Sequence, residues 1–320
     1  MTLPRVIADV DTGIDDALAL AWLGCLHAKG KIELTVTTSA GNTTVTNAAR
    51  NSNAVLRMTG SRARAIPGLP RPRVCPLTTT PETHGPGGLG YWADHIPEDE
   101  PDAGRSFLEA WRAAEPTHVL VAGPATNLAY VLDHAPRLLE NTHVTLMTGA
   151  FTYPGNTTPT AEWNAWVDPH ALKHVLSNWP VSSPLLTICP LNSTERVLLT
   201  PQRLQQVLRG LSLAQAELAD LLLDATRFYF EFHESVGVGY QAQIHDLTAA
   251  QVLLRDELWI LRGDVDKKKA TVDVEADSEL LRGTTVADWD CGYWGRKPNA
   301  EIVTRIEAES VFTTFEKALG

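Results

Sequence analysis

Cysteine and long apolar runs are both scarce in this chain of 320 residues. Its four cysteines are far apart and form no Cys-x-x-Cys pair, so a zinc site or a disulfide framework has little support. The longest apolar stretch, residues 17–28, is too short to cross a bilayer and contains Gly24 and His27. The first residues carry charge at Arg5 and Asp9 and lack an apolar signal core. We therefore expect a soluble, cytoplasmic protein with free thiols.

Positive charge is also in short supply. The chain has 27 Lys and Arg against 38 Asp and Glu, which gives a formal net charge of −11. This acidic surplus argues against a protein that binds nucleic acid or an anionic membrane surface. With 44% hydrophobic and 20% charged residues, the composition is that of a globular protein. The sequence contains no repeat, low-complexity tract or linker, so we expect residues 1–320 to form a single domain.

Short β-branched runs alternate with helix-like stretches along the chain. Strands are predicted at 6–10, 32–38, 117–121, 143–147, 185–189, 270–276, 284–289 and 301–306. Helices are predicted at 15–28, 46–58, 125–132, 168–177, 204–232 with a break near Gly210, and 245–254. This alternation predicts an α/β fold with an open, mostly parallel, Rossmann-like sheet and helices on both faces. Residues 66–101 are rich in Pro and Gly and are predicted to form a long irregular loop, which is usually functional.

Four aspartates lie within eight residues at the end of the first predicted strand: Asp9, Asp11, Asp15 and Asp16. Like charges this close raise one another's pKa values unless a positive charge lies among them. One or two could be helix caps or turn residues, but four caps in one turn would be unusual. The stretch has no His or Cys, and hard divalent cations prefer carboxylate oxygens. We therefore expect a hard divalent cation, beyond the carboxyl ends of the strands where such sheets bind ligands.

Two enzyme families place acidic residues after their first strand. Residues 9–12 are similar to the Asp-x-Asp-x-Thr of haloacid-dehalogenase-like phosphotransferases, whose later acidic pair and lysine have a faint counterpart in residues 263–267. Residues 9–16 resemble the Asp-x-Asp-x-Gly-x-Asp-Asp signature of the nucleoside hydrolases at every defining position, with Thr12 in place of the usual Pro.

The resemblance to the nucleoside hydrolases continues in order along nearly the whole chain. Similar segments are Gly41-Asn42, Thr83-His84-Gly85, Gly123–Leu128, Gly155-Asn156, Glu162-Trp163-Asn164, His245-Asp246 and Thr284–Asn299. Trp163 stands where that family usually has Phe. An ordered match of this length is more specific than any one of its pieces.

This resemblance implies a Ca²⁺-dependent enzyme that hydrolyses the N-glycosidic bond of ribonucleosides to free base and ribose. The implied Ca²⁺ ligands are the side chains of Asp11, Asp16 and Asp246 and the backbone carbonyl of Ala122. Asp11 is also the candidate base that takes a proton from the attacking water. Asp9 is expected to orient its neighbours.

Ribose offers three hydroxyl groups, which carboxylates and amides can bind. The implied sugar-binding residues are Asp15, Asn42, Asn156, Glu162 and Asn164. The spacing of Glu162 and Asn164 predicts that both lie on the same side of an extended segment.

The leaving base needs a proton donor, and histidine suits that role near neutral pH. His245, next to Asp246, is the first candidate acid, and His84 is the second. The resemblance links this pair of histidines to pyrimidine or broad inosine–uridine use. Tyr229 and His233 lie four residues apart and could contact the base, although core packing explains them equally well.

Three hypotheses remain open at this point. The favoured one is the Ca²⁺-dependent ribonucleoside hydrolase, acting on a small-molecule substrate in purine or pyrimidine salvage. The second is a Mg²⁺-dependent haloacid-dehalogenase-like phosphatase with Asp9 as nucleophile. The third is a nucleoside- or ribose-binding module without catalysis. The resemblance also implies a homodimer or homotetramer, while the preferred nucleobase cannot be read from the sequence.

Overall fold

Strands and helices alternate along the chain, and most strands join one sheet. The computed structural model describes residues 3–97 and 106–320. Its strands are β1 (Arg5–Val10), β2 (Glu33–Thr38), β3 (Ala65–Pro67), β4 (His118–Val121), β5 (His143–Met147), β6 (Leu186–Cys189), β7 (Leu198–Leu199), β8 (Ala242–Gln243), β9 (Val265–Val274), β10 (Thr285–Asp288) and β11 (Ala300–Ile306).

The main sheet of the described chain has nine strands in the order β10-β9-β11-β6-β5-β4-β1-β2-β3. Neighbouring strands from β11 to β3 are parallel, while β9 and β10 run antiparallel at one edge. Strands β7 and β8 pair separately as a short antiparallel ribbon. The open, mostly parallel α/β sheet predicted from the sequence is therefore confirmed.

Helices cover both faces of this sheet. They are α1 (Ile14–Ala28), α2 (Val45–Met58), α3 (Pro81–His84), α4 (Phe107–Ala114), α5 (Thr126–His134), α6 (Trp163–Val167), α7 (Pro169–Asn178), α8 (Leu191–Thr194), α9 (Pro201–Leu208), α10 (Ala216–Ser235), α11 (Asp246–Leu253) and α12 (Ala308–Leu319). One buried cluster includes side chains of α1, α10, α11 and α12, and a second includes side chains of α4, α5 and α7. In β1, Val6, Ala8 and Val10 belong to the first cluster and Ile7 to the second, because successive side chains point to opposite faces.

The structure departs from the predicted elements mainly at short helices. Within 66–101, the predicted irregular loop contains the one-turn helix α3, and residues 98–101 lie outside the described residues. Helices α4, α6, α8 and α12 and the short strands β3, β7 and β8 were not predicted, and β9 begins at Val265 rather than at Ala270. The predicted break near Gly210 is confirmed, since α9 ends at Leu208 and α10 begins at Ala216. In the described ranges, no helix is long and apolar enough to span a membrane.

The sheet order sets the position of the site. Strand β1 lies between β2 and β4, and β5 follows β4, so the carboxyl ends of these four strands lie side by side. Asp11 follows β1, Asn42 follows β2 and Ala122 follows β4. Three segments that are distant in sequence therefore meet at one edge of the sheet, where such folds bind ligands.

Candidate active site

The acidic turn begins where β1 ends and leads into α1. Asp11 follows the strand directly, and Asp15 and Asp16 lie in the first turn of α1. All three carboxylates are buried. Position 13 requires glycine, because a Cβ atom there would lie 2.7 Å from Nδ1 of His84. The turn is thus packed tightly against the wall formed by that histidine.

Carboxylate oxygens of Asp15, Asp16 and Asp246 lie within 4.8 Å of one another, close enough to hold one metal ion. Asp246 is the first residue of α11, and Asp15 and Asp16 lie in the first turn of α1. The positive N-terminal ends of both helices therefore stabilise these carboxylates. Asp11 is connected to this group by Asn42, whose side-chain amide donates to both Asp11 and Asp16 at 3.2 Å. The structure thus brings together Asp11, Asp16 and Asp246. It also places Asp15, which was predicted to bind the sugar, in the same carboxylate cluster.

Burial dominates the electrostatics of this carboxylate cluster, defined as Asp11, Asp15, Asp16 and Asp246. Burial, with the charge of Asp16 second, raises the pKa of Asp15 to about 7 and the pKa of Asp11 well above its usual range. Burial also raises the pKa of Asp16, whose buried Oδ1 accepts no hydrogen bond from any described residue. For Asp246, burial and then the charge of Asp15 raise the pKa well above normal. Buried like charges need a compensating cation, and this all-oxygen donor set fits Ca²⁺ or Mg²⁺.

The carbonyl of Ala122 lies beside the cluster because β4 is paired with β1. The Ala122 N–H donates to the carbonyl of Asp9 at 2.8 Å. A Cβ atom on Gly123 would lie 3.0 Å from Cβ and Cγ of Asp11, so this segment packs directly on that carboxylate. The Ala122 carbonyl accepts from Nδ2 of Asn164 at 2.6 Å and retains a second lone pair. A carbonyl oxygen with a free lone pair therefore precedes the residue that packs against Asp11.

Asp9 contacts the scaffold around the cluster. Its Oδ1 accepts from Oγ1 of Thr37 at 2.6 Å and from Nδ2 of Asn127 at 2.8 Å. Burial raises the pKa of Asp9 to about 7, while these two hydrogen bonds act in the opposite direction. Asn127 also donates to the carbonyl of Thr38, so Asp9 helps to hold β1, β2 and α5 together.

A cavity of about 640 Å³ lies beside the cluster, a volume suited to a small molecule. The predicted site residues that line it are Asp15, Asn42, His84, Ala122, Asn156, Glu162, Asn164, His245 and Asp246. Asp9, Asp11 and Asp16 are not among its lining residues. The predicted sugar and base residues therefore share one cavity, and of the metal-binding candidates Ala122 and Asp246 line it.

Glu162 and Asn164 lie at a helix N-terminus, so the predicted extended segment is wrong. Glu162 is the N-cap of α6, and its carboxylate accepts from the backbone N–H of Asn164 at 2.8 Å and of Ala165 at 3.0 Å. The same carboxylate accepts from the N–H of Gly149 at 3.0 Å. A short helix replaces the strand because this cap satisfies its free N–H groups. Both side chains still line the cavity, and the buried Oδ1 of Asn164 has no hydrogen-bond partner within 3–97 and 106–320.

Asn156 is at the exposed rim of the cavity. Its Oδ1 accepts from the backbone N–H of Trp163 at 3.0 Å, which holds the rim loop against the start of α6. Trp163 also lines the cavity and stacks on Trp166, with ring centroids 5.7 Å apart.

The two candidate histidines are buried and carry their protons on different nitrogens. Nδ1 of His84 accepts from the N–H of Ile14 at 3.1 Å, so its neutral ring carries the proton on Nε2. The hydroxyl of Thr194 donates to the carbonyl of Pro190, so it accepts from Nδ1–H of His245 at 2.8 Å. Burial, with neighbouring histidines second, lowers the pKa of both His84 and His245 to about 3. Both rings are therefore neutral at pH 7, and His84 is the one that offers Nε2–H.

Comparison with known proteins identifies the family. Residues 6–313 match the family model described as inosine-uridine preferring nucleoside hydrolase. The chain belongs to the nucleoside hydrolase family. The non-specific ribonucleoside hydrolase RihC of Salmonella schwarzengrund (strain CVM19633) is 31% identical over 311 residues, 95% of this chain and 94% of that protein. The RihC protein of Salmonella paratyphi A (strain ATCC 9150 / SARB42) is 32% identical over 309 residues, with the same coverage.

Solved nucleoside hydrolase structures share the fold. The plant nucleoside hydrolase PpNRh1 superposes with a TM-score of 0.82 at 22% identity, covering 98% of each chain. The purine-preferring ribonucleoside hydrolase from Gardnerella vaginalis gives a TM-score of 0.80 at 23% identity, covering 98% of this chain and 97% of that one. The fold of nucleoside hydrolase type and the predicted enzyme class, a ribonucleoside hydrolase, are confirmed.

Membership of the nucleoside hydrolase family excludes the phosphatase hypothesis and the hypothesis of a binding module without catalysis. The phosphatase alternative needs residues 263–267, but these lie at the start of β9 and do not line the cavity. Asp9, its proposed nucleophile, is held by Thr37 and Asn127 and does not line the cavity either.

Other residues of this nucleoside hydrolase line the cavity without having been assigned a role from sequence. Tyr229 and His233, for which core packing was an equal explanation, are both buried and both reach the cavity from α10. The ring of Tyr229 lies 5.4 Å from that of His84, centroid to centroid. Glu195 and Tyr153 also line the cavity, and sequence reasoning missed them because no local pattern marks either residue.

Proposed function

We propose that this enzyme hydrolyses the N-glycosidic bond of ribonucleosides to free base and ribose, with Ca²⁺ bound at the carboxylate cluster. The observation that carries this proposal is the position of the buried cluster, of which Asp15 and Asp246 line a cavity that His84 and His245 also line. The names of the RihC relatives, which are non-specific ribonucleoside hydrolases, support the substrate class.

The proposed Ca²⁺ ligands are Asp11, Asp16 and Asp246 with the Ala122 carbonyl, and Asp15 adds a carboxylate at the same place. When bound, the cation would orient a water molecule and make it easier to deprotonate. Asp11 takes the water proton as the water oxygen attacks C1′ of the ribose. The C1′–N bond then breaks, and its electron pair leaves with the base.

Ribose recognition is assigned to residues between the cluster and the rim: Asp15, Asn42, Asn156, Glu162 and Asn164. The buried, unpartnered Oδ1 of Asn164 is suited to accept from a sugar hydroxyl. Glu162 already accepts several internal N–H groups, so it shapes this wall and offers remaining lone pairs to the sugar.

Base release is assigned to His84 and His245. The hydrogen bonds reverse the order of these two candidates, because His84 already carries a proton on Nε2 while the proton of neutral His245 is used on Thr194. His84 would donate a hydrogen bond from Nε2–H to the leaving base, and His245 would position the base. We propose the pyrimidine or broad inosine–uridine type of specificity, in line with the two histidines.

The experiment that tests this function compares Asp11→Asn with Asp256→Asn. Both substitutions replace one carboxylate by an amide of the same size, but Asp256 lies on the surface, with its side chain 84% exposed. We expect Asp11→Asn to lose turnover of uridine and inosine by at least about 10³-fold and to bind Ca²⁺ more weakly. The Asp256 variant should match the wild type. Normal hydrolysis by Asp11→Asn would refute the assignment.

We also propose that residues 1–320 form a single domain and that the enzyme assembles as a homodimer or homotetramer in the cytoplasm. These three statements rest on the sequence and on the family. Light scattering of the purified protein would test the assembly.

A further inference from the structure

Three carboxylates of the described cavity lining lie outside the carboxylate cluster: Glu82, Glu162 and Glu195. Glu195 directly follows α8, whose last residue, Thr194, accepts a hydrogen bond from His245. His245 in turn precedes Asp246 of the cluster. Glu195 is thus connected to the cluster through Thr194 and His245, on the histidine side of the cavity.

Tyr153 holds this carboxylate in place. Its hydroxyl donates to Oε2 of Glu195 at 2.7 Å, and both side chains line the cavity. Within residues 3–97 and 106–320, no donor forms a hydrogen bond to Oε1. An ionised carboxylate can only accept hydrogen bonds, so Oε1 is available to an N–H or O–H group of a ligand.

The described cavity lining around Glu195 offers no lysine or arginine to neutralise its charge. Aromatic side chains, among them Tyr229 and Phe232, line the same cavity. A partly buried carboxylate in such surroundings is stabilised most by a ligand that donates a hydrogen bond to it.

We propose that Glu195 is a base-specificity residue that accepts an N–H from the exocyclic amino group of the nucleobase. This inference rests on the proposed function, which places the sugar at the carboxylate cluster and the glycosidic nitrogen near the histidines. The 4-amino group of cytosine and the 6-amino group of adenine lie on the side of the ring far from that nitrogen. Uracil and hypoxanthine carry an oxo group at the same positions, and an oxo group cannot donate to a carboxylate.

The test compares cytidine with uridine and adenosine with inosine. Within each pair the amino group is replaced by an oxo group, and the adjacent ring nitrogen changes from an acceptor to an N–H donor. The measured quantity is the ratio of kcat/KM within each pair, in the wild type and in Glu195→Gln. The glutamine amide offers both a donor and an acceptor, so it serves the amino and oxo forms alike. We expect the cytidine-to-uridine ratio and the adenosine-to-inosine ratio each to fall by about tenfold in Glu195→Gln.

Two further variants are compared: Tyr153→Phe tests the positioning of Glu195, and Glu234→Gln is the surface control. Tyr153 acts through Glu195 as a positioning residue, so Tyr153→Phe should shift the same ratios in the same direction by a smaller factor. Glu234 is exposed and does not line the cavity, and Glu234→Gln should leave both ratios unchanged. Retained uridine turnover shows that each variant is folded.

The outcomes separate this inference from the proposed function. An unchanged ratio in Glu195→Gln, or an equal loss for cytidine and uridine, would overturn the inference while leaving nucleoside hydrolysis in place. An equal loss would assign Glu195 to the sugar instead. No base release from any nucleoside by the wild type would refute the proposed function itself, and the inference with it.

Discussion

Asn42 donates two hydrogen bonds to Asp11, one from its backbone N–H at 2.7 Å and one from its side-chain amide at 3.2 Å. The same amide reaches Asp16 at 3.2 Å. A residue at the end of β2 therefore sets the orientation of the candidate base and of one candidate ligand, both of which belong to the acidic turn after β1.

Substitution of Asn42 should therefore impair catalysis although the carboxylates of Asp11 and Asp16 remain in place. We expect Asn42→Ala to lower kcat/KM for uridine by about 10–100-fold, because Asp11 and Asp16 lose the amide that orients them. Asn42→Asp should cost more, since it adds a fifth negative charge to the cluster. Steady-state kinetics and Ca²⁺ titration calorimetry measure both effects. Turnover of Asn42→Ala within twofold of the wild type would contradict this role.

Removal of the metal should make stability depend on pH. Burial raises the pKa of Asp15 to about 7 from its ordinary value of 3.8, so the metal-free folded state binds more protons than the unfolded state between these values. Stability of the chelated protein should then be highest at low pH and fall as the pH rises from about 4 to 7.

Binding of Ca²⁺ should restore the stability that the chelated protein loses as the pH rises. At about 100 times its Kd, a ligand of the folded state adds about 2.7 kcal/mol of stability, which is on the order of 5 °C in melting temperature for a chain of this size. Thermal melts at pH 5 and pH 7.5, with chelator or with Ca²⁺, measure the effect. Identical melting temperatures in all four conditions would show that no cation compensates the cluster.

Phosphorylated nucleosides should be poor substrates. The described lining of the cavity contains five carboxylates and no Lys or Arg, so apart from the proposed Ca²⁺ a phosphate group would meet only like charge. Juxtaposed like charges cost several kcal/mol, and we expect kcat/KM for uridine 5′-monophosphate to be lower than for uridine by about 100-fold or more. Comparable rates for the two compounds would mean that a cation outside this lining binds the phosphate.

His84 should act through its Nε2–H. We expect His84→Ala to lower kcat by about 10²–10³-fold, the range for loss of one hydrogen-bond donor to developing negative charge. His84→Gln retains an N–H group in a similar place and should lose less. Equal losses in the two variants would favour a packing role against Tyr229, whose ring lies 5.4 Å away.

Local sequence was sufficient to predict the core of the fold and the acidic turn. The consecutive apolar residues of β1 are buried on both faces, and the aspartates that follow lie at the end of that strand. Helix α4 also carried a local signal that was missed. Ser106 accepts from the N–H of Glu109 at 3.3 Å, and Glu109 accepts from the N–H of Ser106 at 2.8 Å, the reciprocal cap that a Ser-x-x-Glu sequence predicts.

The rest of the site depends on contacts between distant segments. Glu195 reaches the cavity because α8 packs against His245, 50 positions later in the chain, which no local pattern reveals. The placement of Asp15 beside Asp246 likewise follows from the meeting of two helix N-termini. The short helix at Trp163 forms because Glu162 caps it, so the alternating pattern of an extended segment did not apply.

The most direct test of the account is base release from ribonucleosides with and without bound metal. The assay measures free base and ribose from uridine, cytidine, inosine, adenosine and guanosine, before chelation, after chelation and after Ca²⁺ is restored. We expect release from at least the pyrimidine nucleosides and inosine, its loss on chelation, and its recovery with Ca²⁺. Hydrolysis that is indifferent to chelation, or no release from any of the five nucleosides, would contradict a Ca²⁺-dependent site at the carboxylate cluster.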